Sequence, residues 1–272
     1  MALIDNIRYA FKLDDDAANT TVADEIATDH GILTGGDNTA DISESGKLTN
    51  CLRYDGSNDY VDVGAYDSNM SATSAFSVSF WINTDSVTGN HIIWSNSDGG
   101  NNRVAVYTNG NEVGIAIYDT GSWHGTGGES GVAHTTTIST TTWYHVVITY
   151  DGSGTPKVYL DDDATNGGIS QRNAGTSSHI IAAMNDGSIV EHFDGLIDDL
   201  YIWTREITGA EVTSLYNSGS GFAYPFATGT DFQINIGDAW KAVPAMQINI
   251  GDAWKEVDGA QINIGDAWKS LF

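Results

Sequence analysis

Apolar and small polar residues alternate along most of this chain, and that alternation restricts the possible folds more than any other feature. It is clearest in FSVSFWI (residues 76–82), WYHVVITY (143–150) and LIDDLYIW (196–203). A period of two places successive side chains on opposite faces of an extended strand, so these segments are predicted to be half-buried β-strands. Further segments with this pattern are residues 91–94, 103–107, 113–118, 157–160 and 180–183.

Turn-forming residues separate these strands at intervals of roughly ten residues. Glycine accounts for 31 of the 272 residues and proline for only 3. Abundant glycine among many Thr, Val, Ile, Tyr and Trp residues favours many strands joined by tight turns, as in a β-sandwich or jelly roll. The sequence therefore predicts an all-β fold, long enough for one sandwich and an appendage.

One helix is predicted near the end of the sandwich. Thr208 and Glu211 have the spacing of a capping box, in which each side chain bonds the backbone N–H of the other. Val212 and Leu215 follow at helical spacing, and Asn217 ends the segment. Because about two turns of helix are not stable alone, this helix is expected to pack on the sheets.

The chain is strongly acidic, with 11 Lys and Arg against 36 Asp and Glu and a formal net charge of −25. Such a charge repels phosphate backbones and anionic lipids, so we expect neither nucleic-acid binding nor membrane insertion. Cys51 is the only cysteine, which excludes an internal disulfide, and it is predicted to be buried. Residues 1–16 lack the basic and apolar regions of a secretory signal, so we expect the protein either to stay where it is made or to leave without a signal, for example by lysis of the host cell.

Residues 233–272 contain the string QINIGDAWK three times at a 14-residue interval, starting at Gln233, Gln247 and Gln261. Each copy predicts a β-hairpin, closed either by a two-residue Gly-Asp loop or by a three-residue Gly-Asp-Ala loop. Hairpins of this size do not fold alone, so they are expected to pack on one another, on the sandwich or on neighbouring subunits. We predict an assembly element over residues 223–272. Its predicted contact residues are Ile236, Trp240, Ile250, Trp254, Ile264 and Trp268.

Several longer strings occur in order along residues 1–222. They are YDGSNDYV (54–61), FSVSFWI (76–82), WYHV and TYDG (within 143–152), KVYLD (157–161), FDGLIDDLYIW (193–203) and AEVTSLY (210–216). Together they resemble the laminin-G-like, pentraxin-like branch of the concanavalin A-like lectin/glucanase superfamily. The resemblance implies a jelly-roll sandwich of two large antiparallel sheets over residues 1–222. Asp162 departs from it, because the family usually has glycine at this hairpin turn.

Glucanases of this fold carry carboxylates on alternate residues of one strand, in an E-x-D-x-E arrangement that places them on one face. This chain has no such triplet, and the nearest cluster, Glu191 and Asp194, has the wrong spacing. The G-x-S-x-G motif of a serine hydrolase is also absent from the sequence. We therefore predict that the protein is not an enzyme.

Acidic runs at residues 14–16 and 161–163 are interpreted first as solvated turns. Calcium is nevertheless the one cofactor that the sequence suggests, because acid-rich loops supply the oxygen ligands that it prefers. The resemblance implies cation sites at sheet edges in some relatives, which here points to Asp14 and Asp198. Asn58 and Asp59 match the position that pentraxin-type relatives use, although a hairpin turn over residues 55–59 explains them as well.

Trp123 and His124 lie in a Gly-rich segment, residues 119–131, outside any strand pattern. An aromatic ring exposed in a polar loop can stack on a sugar or anchor a protein contact, so both residues are predicted to bind ligand. The alternative is a loop tip that folds back on its own sheet.

The C-terminal repeats are similar to short repeats in structural proteins of tailed bacteriophages. Together with the lectin-like sandwich, this similarity predicts a non-enzymatic virion surface protein, such as a decoration, fibre or tail component. Its expected partners are other virion proteins or copies of itself, through residues 223–272, and glycans of cells or mucus. The alternatives are an extracellular adhesion module of a bacterium and, third, a polysaccharide hydrolase.

Overall fold

A computed structural model gives the structure of this protein. It describes residues 2–26, 29–64, 74–97, 102–119, 122–124, 131–153, 155–167, 178–226, 232–236, 239–243, 247–249, 254–256, 261–264 and 267–270. Internal contacts divide the chain into two compact units. One is Asp5–Tyr224, and the other consists of Met1–Ile4 and Pro225–Phe272.

The first unit contains nineteen strands among its described residues, two short α-helices and a 3-10 turn over Asn217–Gly219. The strands are β1 (Ile7–Phe11), β2 (Thr21–Val22), β3 (Gly31–Thr34), β4 (Ser43–Ser45), β5 (Asn50–Asp55), β6 (Tyr60–Asp62), β7 (Phe76–Thr84), β8 (Asn90–Ser97), β9 (Asn102–Asn109), β10 (Glu112–Asp119), β11 (Ser122–His124), β12 (Gly131–Ala133), β13 (Trp143–Tyr150), β14 (Lys157–Leu160), β15 (Asp163–Asn166), β16 (Ser178–Ile181), β17 (Met184–Asn185), β18 (Ile189–Val190) and β19 (Asp194–Trp203). The helices are α1 (Thr39–Ile42) and α2 (Gly209–Tyr216).

Over the described residues, the strands form two large antiparallel sheets, of eight and nine strands. Sheet 1 has the order β15-β14-β13-β7-β19-β5-β4, and β1 also pairs with β19. Sheet 2 has the order β11-β10-β9-β8-β16-β6-β3-β2, and β12 also pairs with β10. Strands β17 and β18 pair only with each other among the described strands. The predicted all-β sandwich of two antiparallel sheets is therefore confirmed.

The hydrophobic core lies between the two sheets, because alternate apolar side chains of each sheet point inward. Sheet 1 contributes Val78, Phe80 and Ile82 of β7, and sheet 2 contributes Val104 and Val106 of β9. The intervening residues Ser77, Ser79 and Trp81 are buried as well, so β7 is covered on both faces. The prediction that this strand is half-buried is therefore wrong.

Three tryptophans of the sandwich strands are buried. Trp81, Trp94 and Trp203 have exposures of 3% or less. Trp143 is only half-buried, because it is the first residue of β13 and lies at the end of the sheet. Cys51 is buried, as predicted, and burial raises the pKa of its thiol to about 12.

Helix α2 has the predicted capping box. Thr208 Oγ1 accepts the N–H of Glu211, and Glu211 Oε2 accepts the N–H of Thr208 at 2.8 Å. Arg205 pairs with the same carboxylate at 2.6 Å. Burial raises the pKa of Glu211, but hydrogen bonds from Arg205 and Thr208 outweigh it and lower the pKa to about 2. Asn217, in the left-handed conformation, ends the helix.

Helix α1 is missing from the sequence-based prediction. Asn38 and Asp41 form a second capping box at its start. Its four residues are too few for a helical repeat of apolar positions to be recognised. Within the described ranges, no helix is long and apolar enough to cross a membrane.

The turn between β14 and β15 explains why Asp162 can occupy a position where the family usually has glycine. Leu160 pairs with Asp163, so Asp161 and Asp162 form a two-residue loop. Both have positive φ angles, 51° and 72°, as a type I′ hairpin requires. Aspartate tolerates this left-handed conformation better than most residues do, so it can replace the glycine that is usual in the family.

The second unit contains three hairpins within its described residues. Their strands are β20 (Phe232–Ile236), β21 (Ala239–Val243), β22 (Gln247–Asn249), β23 (Trp254–Glu256), β24 (Gln261–Ile264) and β25 (Ala267–Ser270). Ile236 pairs with Ala239, and Ile264 pairs with Ala267, so two residues separate the paired ends in each case. The pairing therefore matches the two-residue Gly-Asp loop and excludes the three-residue Gly-Asp-Ala loop, which the sequence had left as an alternative.

Candidate functional site

The face of sheet 2 that points away from sheet 1 carries its own apolar cluster. Val106 and Ile115 belong to the main core, whereas their neighbours Ala105, Tyr107 and Ala116 belong to a second cluster. Because side chains alternate along a strand, the second cluster lies on the outer face of sheet 2.

This cluster is the floor of an open cavity of about 100 Å³, which we call the outer depression. Its floor is formed by Ile92, Ala105, Tyr107, Ala116 and Met184. Its polar lining is formed by Asn90, Asp186 and Glu191. The outer depression thus combines a buried apolar base with one amide and two carboxylates.

Tyr107 is the aromatic residue of the floor. It pairs across β9 and β10 with Gly114, and a Cβ atom on Gly114 would lie only 2.8 Å from the Tyr107 hydroxyl. The absence of a side chain at residue 114 therefore allows the phenol ring to approach the backbone of β10.

A β-bulge in strand β8 positions Ile92 in this floor. Ile92 pairs with Tyr107 and Trp94 pairs with Val106, so Ile93 is the extra residue. The carbonyl oxygen of Ile93 accepts the N–H of a residue beyond β16, and the distance is 2.8 Å. Bulges of this kind change the direction of side chains and are common beside functional sites.

The residue that donates to Ile93 is Ala182, which directs the chain out of β16. It has a φ of 68°, a left-handed conformation that is uncommon for alanine. Ser95 Oγ then donates to the carbonyl of Ala183 at 2.8 Å, and Ser97 Oγ donates to the carbonyl of Asn185. These contacts hold the β17–β18 hairpin on sheet 2 and so place Asp186 at the wall of the outer depression.

Glu191 follows this hairpin and is held by its backbone. It has a φ of 55°, and its carbonyl accepts the N–H of Ile92 at 2.8 Å. His91 Nδ1 lies 2.8 Å from the carbonyl oxygen of His192, and His91 Nε2 lies 3.0 Å from the carbonyl oxygen of Thr88. The segment that carries Glu191 is therefore fastened to β8 and to the turn that precedes it.

The chemistry of the outer depression suits a ligand with both apolar and hydroxylated surfaces. Asp186 and Glu191 supply carboxylate oxygens, which accept hydrogen bonds from hydroxyl groups. Asn90 supplies both a donor and an acceptor. A concave apolar base with a few polar groups is the usual composition of a small-ligand site.

Trp123 and His124 are not in a loop, so that part of the prediction is wrong. They belong to strand β11, where Trp123 pairs with Tyr118 and His124 pairs with Ile117 of β10. The alternation that identifies longer strands is not recognisable in a strand of three residues. The side chains at 123 and 124 lie outside the described part of the chain, so their binding role stays a prediction.

Asp198 is fully buried on β19, and Asp14 is near it. Asp198 Oδ2 accepts the N–H groups of Lys47 and Leu48 at 2.7 and 3.0 Å, whereas Oδ1 accepts no hydrogen bond from any residue that the structure describes. Burial raises the pKa of Asp198 to about 6, and burial and the charge of Asp198 raise that of Asp199 to about 7. The charge of Asp14 is a smaller contribution to both of these increases.

Asn58 and Asp59 lie in the turn between β5 and β6. Asp55 Oδ1 accepts the N–H groups of Ser57 and Asn58, so this segment forms the predicted hairpin turn. Burial raises the pKa of Asp59, and the charge of Asp55 raises it further.

Among the residues whose positions are described, no three His, Cys, Asp or Glu side chains converge as a metal site. The structure thus brings Asp14 close to Asp198 but does not gather the four predicted cation ligands. Calcium binding stays a prediction.

The predicted assembly residues fall on the hairpin strands of the second unit. Ile236, Trp240, Trp254, Ile264 and Trp268 lie in β20, β21, β23, β24 and β25, respectively, whereas Ile250 lies outside the described residues. Their predicted role in assembly remains untested.

Sequence reasoning missed the outer depression. Tyr107, Met184 and Glu191 are far apart along the chain, and the strand pairing that unites them is not visible in the sequence. Of its lining residues, the sequence analysis considered only Glu191, and it did so as part of an acidic cluster with the wrong spacing for catalysis.

Comparison with known proteins identifies similar folds. A family model described as the concanavalin A-like lectin/glucanases superfamily matches residues 55–213. Domain 4 of AbnA, an extracellular arabinanase of Geobacillus stearothermophilus, in complex with arabinotriose, has 18% identity and a TM-score of 0.58; the match covers 77% of this chain and 97% of that domain. No curated protein sequence matches this chain.

Receptor-binding domains of botulinum neurotoxins are also similar. That of the C/D mosaic serotype has 17% identity and a TM-score of 0.56, and the match covers 78% of this chain and 51% of that one. Neurotoxin type C, whose cell entry is dependent upon interaction with two ganglioside molecules, has 16% identity and a TM-score of 0.57, with coverages of 79% and 51%. This chain thus spans about half the length of the neurotoxin domains. At identities this low, the structural similarity shows that the fold is shared and nothing more.

Proposed function

Because the chain belongs to the concanavalin A-like lectin/glucanase superfamily, we propose that its sandwich is a carbohydrate-binding module. The observation that carries this proposal is the outer depression, with its buried apolar floor and its lining of Asn90, Asp186 and Glu191. A sugar ring has apolar C–H faces and a periphery of hydroxyl groups, so both parts of the depression have a counterpart on the ligand.

The similar structures support this proposal through their ligands. Domain 4 of AbnA is in complex with arabinotriose, and neurotoxin type C interacts with gangliosides. Both ligands are glycans or carry them. The shared fold makes a glycan the first ligand class to test on this chain.

We propose that the module binds without catalysis. The support is the missing E-x-D-x-E triplet, since a glycosidase needs a pair of carboxylates with defined separation across the scissile bond. Incubation with β-glucans, arabinans and bacterial capsules is expected to release no reducing ends above a blank. Sustained release by pure protein, lost on Glu191→Gln, would instead establish a hydrolase.

We further propose that this module is displayed on a virion, with residues 223–272 as its attachment or assembly element. The support is the threefold hairpin repeat, together with the similarity of its sequence to repeats of phage structural proteins. Identical small hairpins suit equivalent contacts with neighbouring subunits, because each offers the same strand edges and side chains.

Binding is tested with a glycan array, followed by titration calorimetry with the best ligand and with arabinotriose. A variant with Asn90→Ala and Asp186→Ala removes two polar groups of the outer depression. We expect it to bind at least about tenfold more weakly, because each lost hydrogen bond costs about 1 kcal/mol. Trp123→Ala tests the residue that the sequence indicated.

The matched control carries Asn50→Ala and Asp151→Ala, two exposed residues of sheet 1 and its turns. It is expected to bind as the unmodified protein does. The proposal fails if no glycan binds, or if the substitutions in the outer depression weaken binding no more than the control does.

A further inference from the structure

We propose that His91, as an imidazolium, fastens the wall of the outer depression, so that ligand binding there is stronger in mild acid than in mild alkali. This inference rests on the proposed carbohydrate-binding function and adds to it a positioning residue and a pH dependence. Its basis is the pair of atoms that the His91 ring contacts.

The His91 ring connects two segments that carry polar lining residues. One ring nitrogen meets the carbonyl oxygen of His192 and the other meets the carbonyl oxygen of Thr88, at 2.8 and 3.0 Å. His91 directly follows Asn90, and His192 directly follows Glu191. Because Asn90 and Glu191 both line the depression, the ring is a bridge between the neighbours of two lining residues.

Both atoms that the His91 ring contacts are hydrogen-bond acceptors, and this determines which protonation state fits them. A neutral imidazole has one N–H donor, and its other nitrogen is itself an acceptor. Only the protonated ring has two N–H donors. In the neutral ring, one of the two contacts would place a nitrogen lone pair against a carbonyl oxygen. The imidazolium is therefore the form that satisfies both ends of the bridge.

Two other histidines have contacts of a different kind. His134 Nδ1 accepts the N–H of Thr136 at 3.0 Å, and His134 Nε2 lies 3.0 Å from the carbonyl oxygen of Asp163. His30 Nδ1 accepts the N–H of Asp24 at 3.0 Å. A nitrogen that accepts a hydrogen bond carries no proton, so these contacts fit a neutral ring. His134 and His30 are therefore the natural comparisons for His91.

The bridge holds a segment whose backbone conformation is uncommon. Glu191 has a φ of 55°, and its carbonyl oxygen accepts the N–H of Ile92 at 2.8 Å. A left-handed residue with a side chain persists where the surrounding contacts fix it. When one end of the His91 bridge is lost, the segment is held less firmly, and more of the binding free energy is spent on ordering it. Histidine ordinarily changes its charge between pH 5 and 8, so mild alkali removes a donor from the bridge.

The elements around His91 carry other ionisable groups, which the test has to separate from it. Its cross-strand neighbour on β9 is Thr108, which is not ionisable. The turn before β8, the bridged segment and the β5–β6 turn that contacts this segment carry Asp85, Glu191, His192, Asp55 and Asp59. A variant that replaces only His91 leaves all of these groups unchanged, as well as the buried pair Asp198 and Asp199 of sheet 1. The part of the pH dependence that such a variant loses therefore belongs to His91.

The protonation of His91 is tested on the full chain without any ligand. Nitrogen–proton correlation spectra of the histidine rings are recorded at about pH 5.5, with the rings assigned through the backbone. We expect a proton on both ring nitrogens of His91 and a proton on Nε2 alone of His134. A single ring N–H on His91 under these conditions would overturn the inference, whatever the protein binds.

The effect on the site is tested with a glycan array read at about pH 5.5 and about pH 8, followed by calorimetry with arabinotriose and the strongest array ligand. We expect the unmodified protein to bind about threefold to tenfold more weakly at the higher pH, the effect of losing one hydrogen bond. His91→Gln should reduce this difference to about twofold or less, because an amide donates at both pH values. His30→Gln is the matched control, an exposed histidine that is expected to keep the full difference.

The outcomes separate this inference from the proposed function. If glycans bind equally well at both pH values, or if His91→Gln keeps the full difference, the inference is overturned and carbohydrate binding stands. If no glycan binds at either pH, both are overturned. The ring spectra of the unmodified protein decide the protonation of His91 even if His91→Gln does not fold.

Discussion

The ring of Tyr107 lies against the backbone of Gly114, its cross-strand neighbour in sheet 2. A methyl group on Gly114 would lie 2.6 Å from the carbonyl oxygen of Val132 on strand β12, in addition to its clash with the phenol. Gly114 is in the middle of a strand, so its role is close approach and not the formation of a turn. The position of the Tyr107 ring in the candidate site thus depends on residue 114 being glycine.

Gly114→Ala is therefore expected to destabilise the protein by about 1–3 kcal/mol, the usual cost of extra volume in a packed region. It is also expected to weaken glycan binding, because Tyr107 must move. Chemical denaturation and calorimetry measure the two effects. Gly209→Ala is the matched control, since its nearest contact would be Tyr159 Oη at 3.8 Å and alanine favours a helix. Equal stability of the two variants would contradict the packing argument.

The raised pKa values of Asp198 and Asp199 predict that stability falls with increasing pH. Burial raises them to about 6 and about 7, above the value of 3.8 for an unfolded aspartate. The protonated forms favour the folded state fully below about pH 4, and this contribution is lost as the pH rises through about 6 and 7. We expect a loss on the order of 2 kcal/mol between pH 5 and 8.

A variant with Asp198→Asn and Asp199→Asn tests this pH dependence by scanning calorimetry. Its melting temperature is expected to change less between pH 5 and 8 than that of the unmodified protein. Asp151→Asn is the control, because a hydrogen bond from Ser153 lowers the pKa of that carboxylate and it does not titrate in this range. An identical slope in all three proteins would show that the buried pair does not govern the effect.

Calcium is expected to raise the melting temperature more than NaCl does at equal ionic strength. The reasons are the net charge of −25 and buried Asp198, whose Oδ1 has no hydrogen-bond partner among the described residues. Asp198→Asn and Asp59→Asn distinguish the two predicted places, because only the variant that loses a ligand should lose the shift. If calcium and sodium raised the melting temperature equally, the prediction would be wrong.

Deletion of residues 225–272 is expected to lower the oligomeric state without unfolding the sandwich. Asp5–Tyr224 forms a compact unit with its own core, so it should fold alone. Light scattering gives the mass of each protein, and circular dichroism checks the fold. Trp240→Ala, Trp254→Ala and Trp268→Ala in the full chain give a second test. A truncated protein with an unchanged number of subunits would exclude the assembly role.

The strands and helix α2 could be predicted because the signals for them are local. Period-two alternation at residues 76–82 and 143–150 identified β7 and β13, and the spacing of Thr208 and Glu211 identified the start of α2. Helix α1 and strand β11 were missed because elements of four and three residues are too short to show a repeating pattern. In the hairpin tail, the two possible registers could not be separated until the pairing of Ile236 with Ala239 was known.

The sequence by itself determined that this chain forms an all-β sandwich with a hairpin tail, because alternation and capping depend on neighbours along the chain. The tertiary structure alone decided which residues meet on the outer face of sheet 2. Tyr107, Met184 and Glu191 come together through the pairing of β8 with β9, the bulge at Ile93 and the left-handed turn at Ala182. Pairing depends on the packing of distant segments against a common core, and a shift of one residue would move every side chain of a strand to the opposite face.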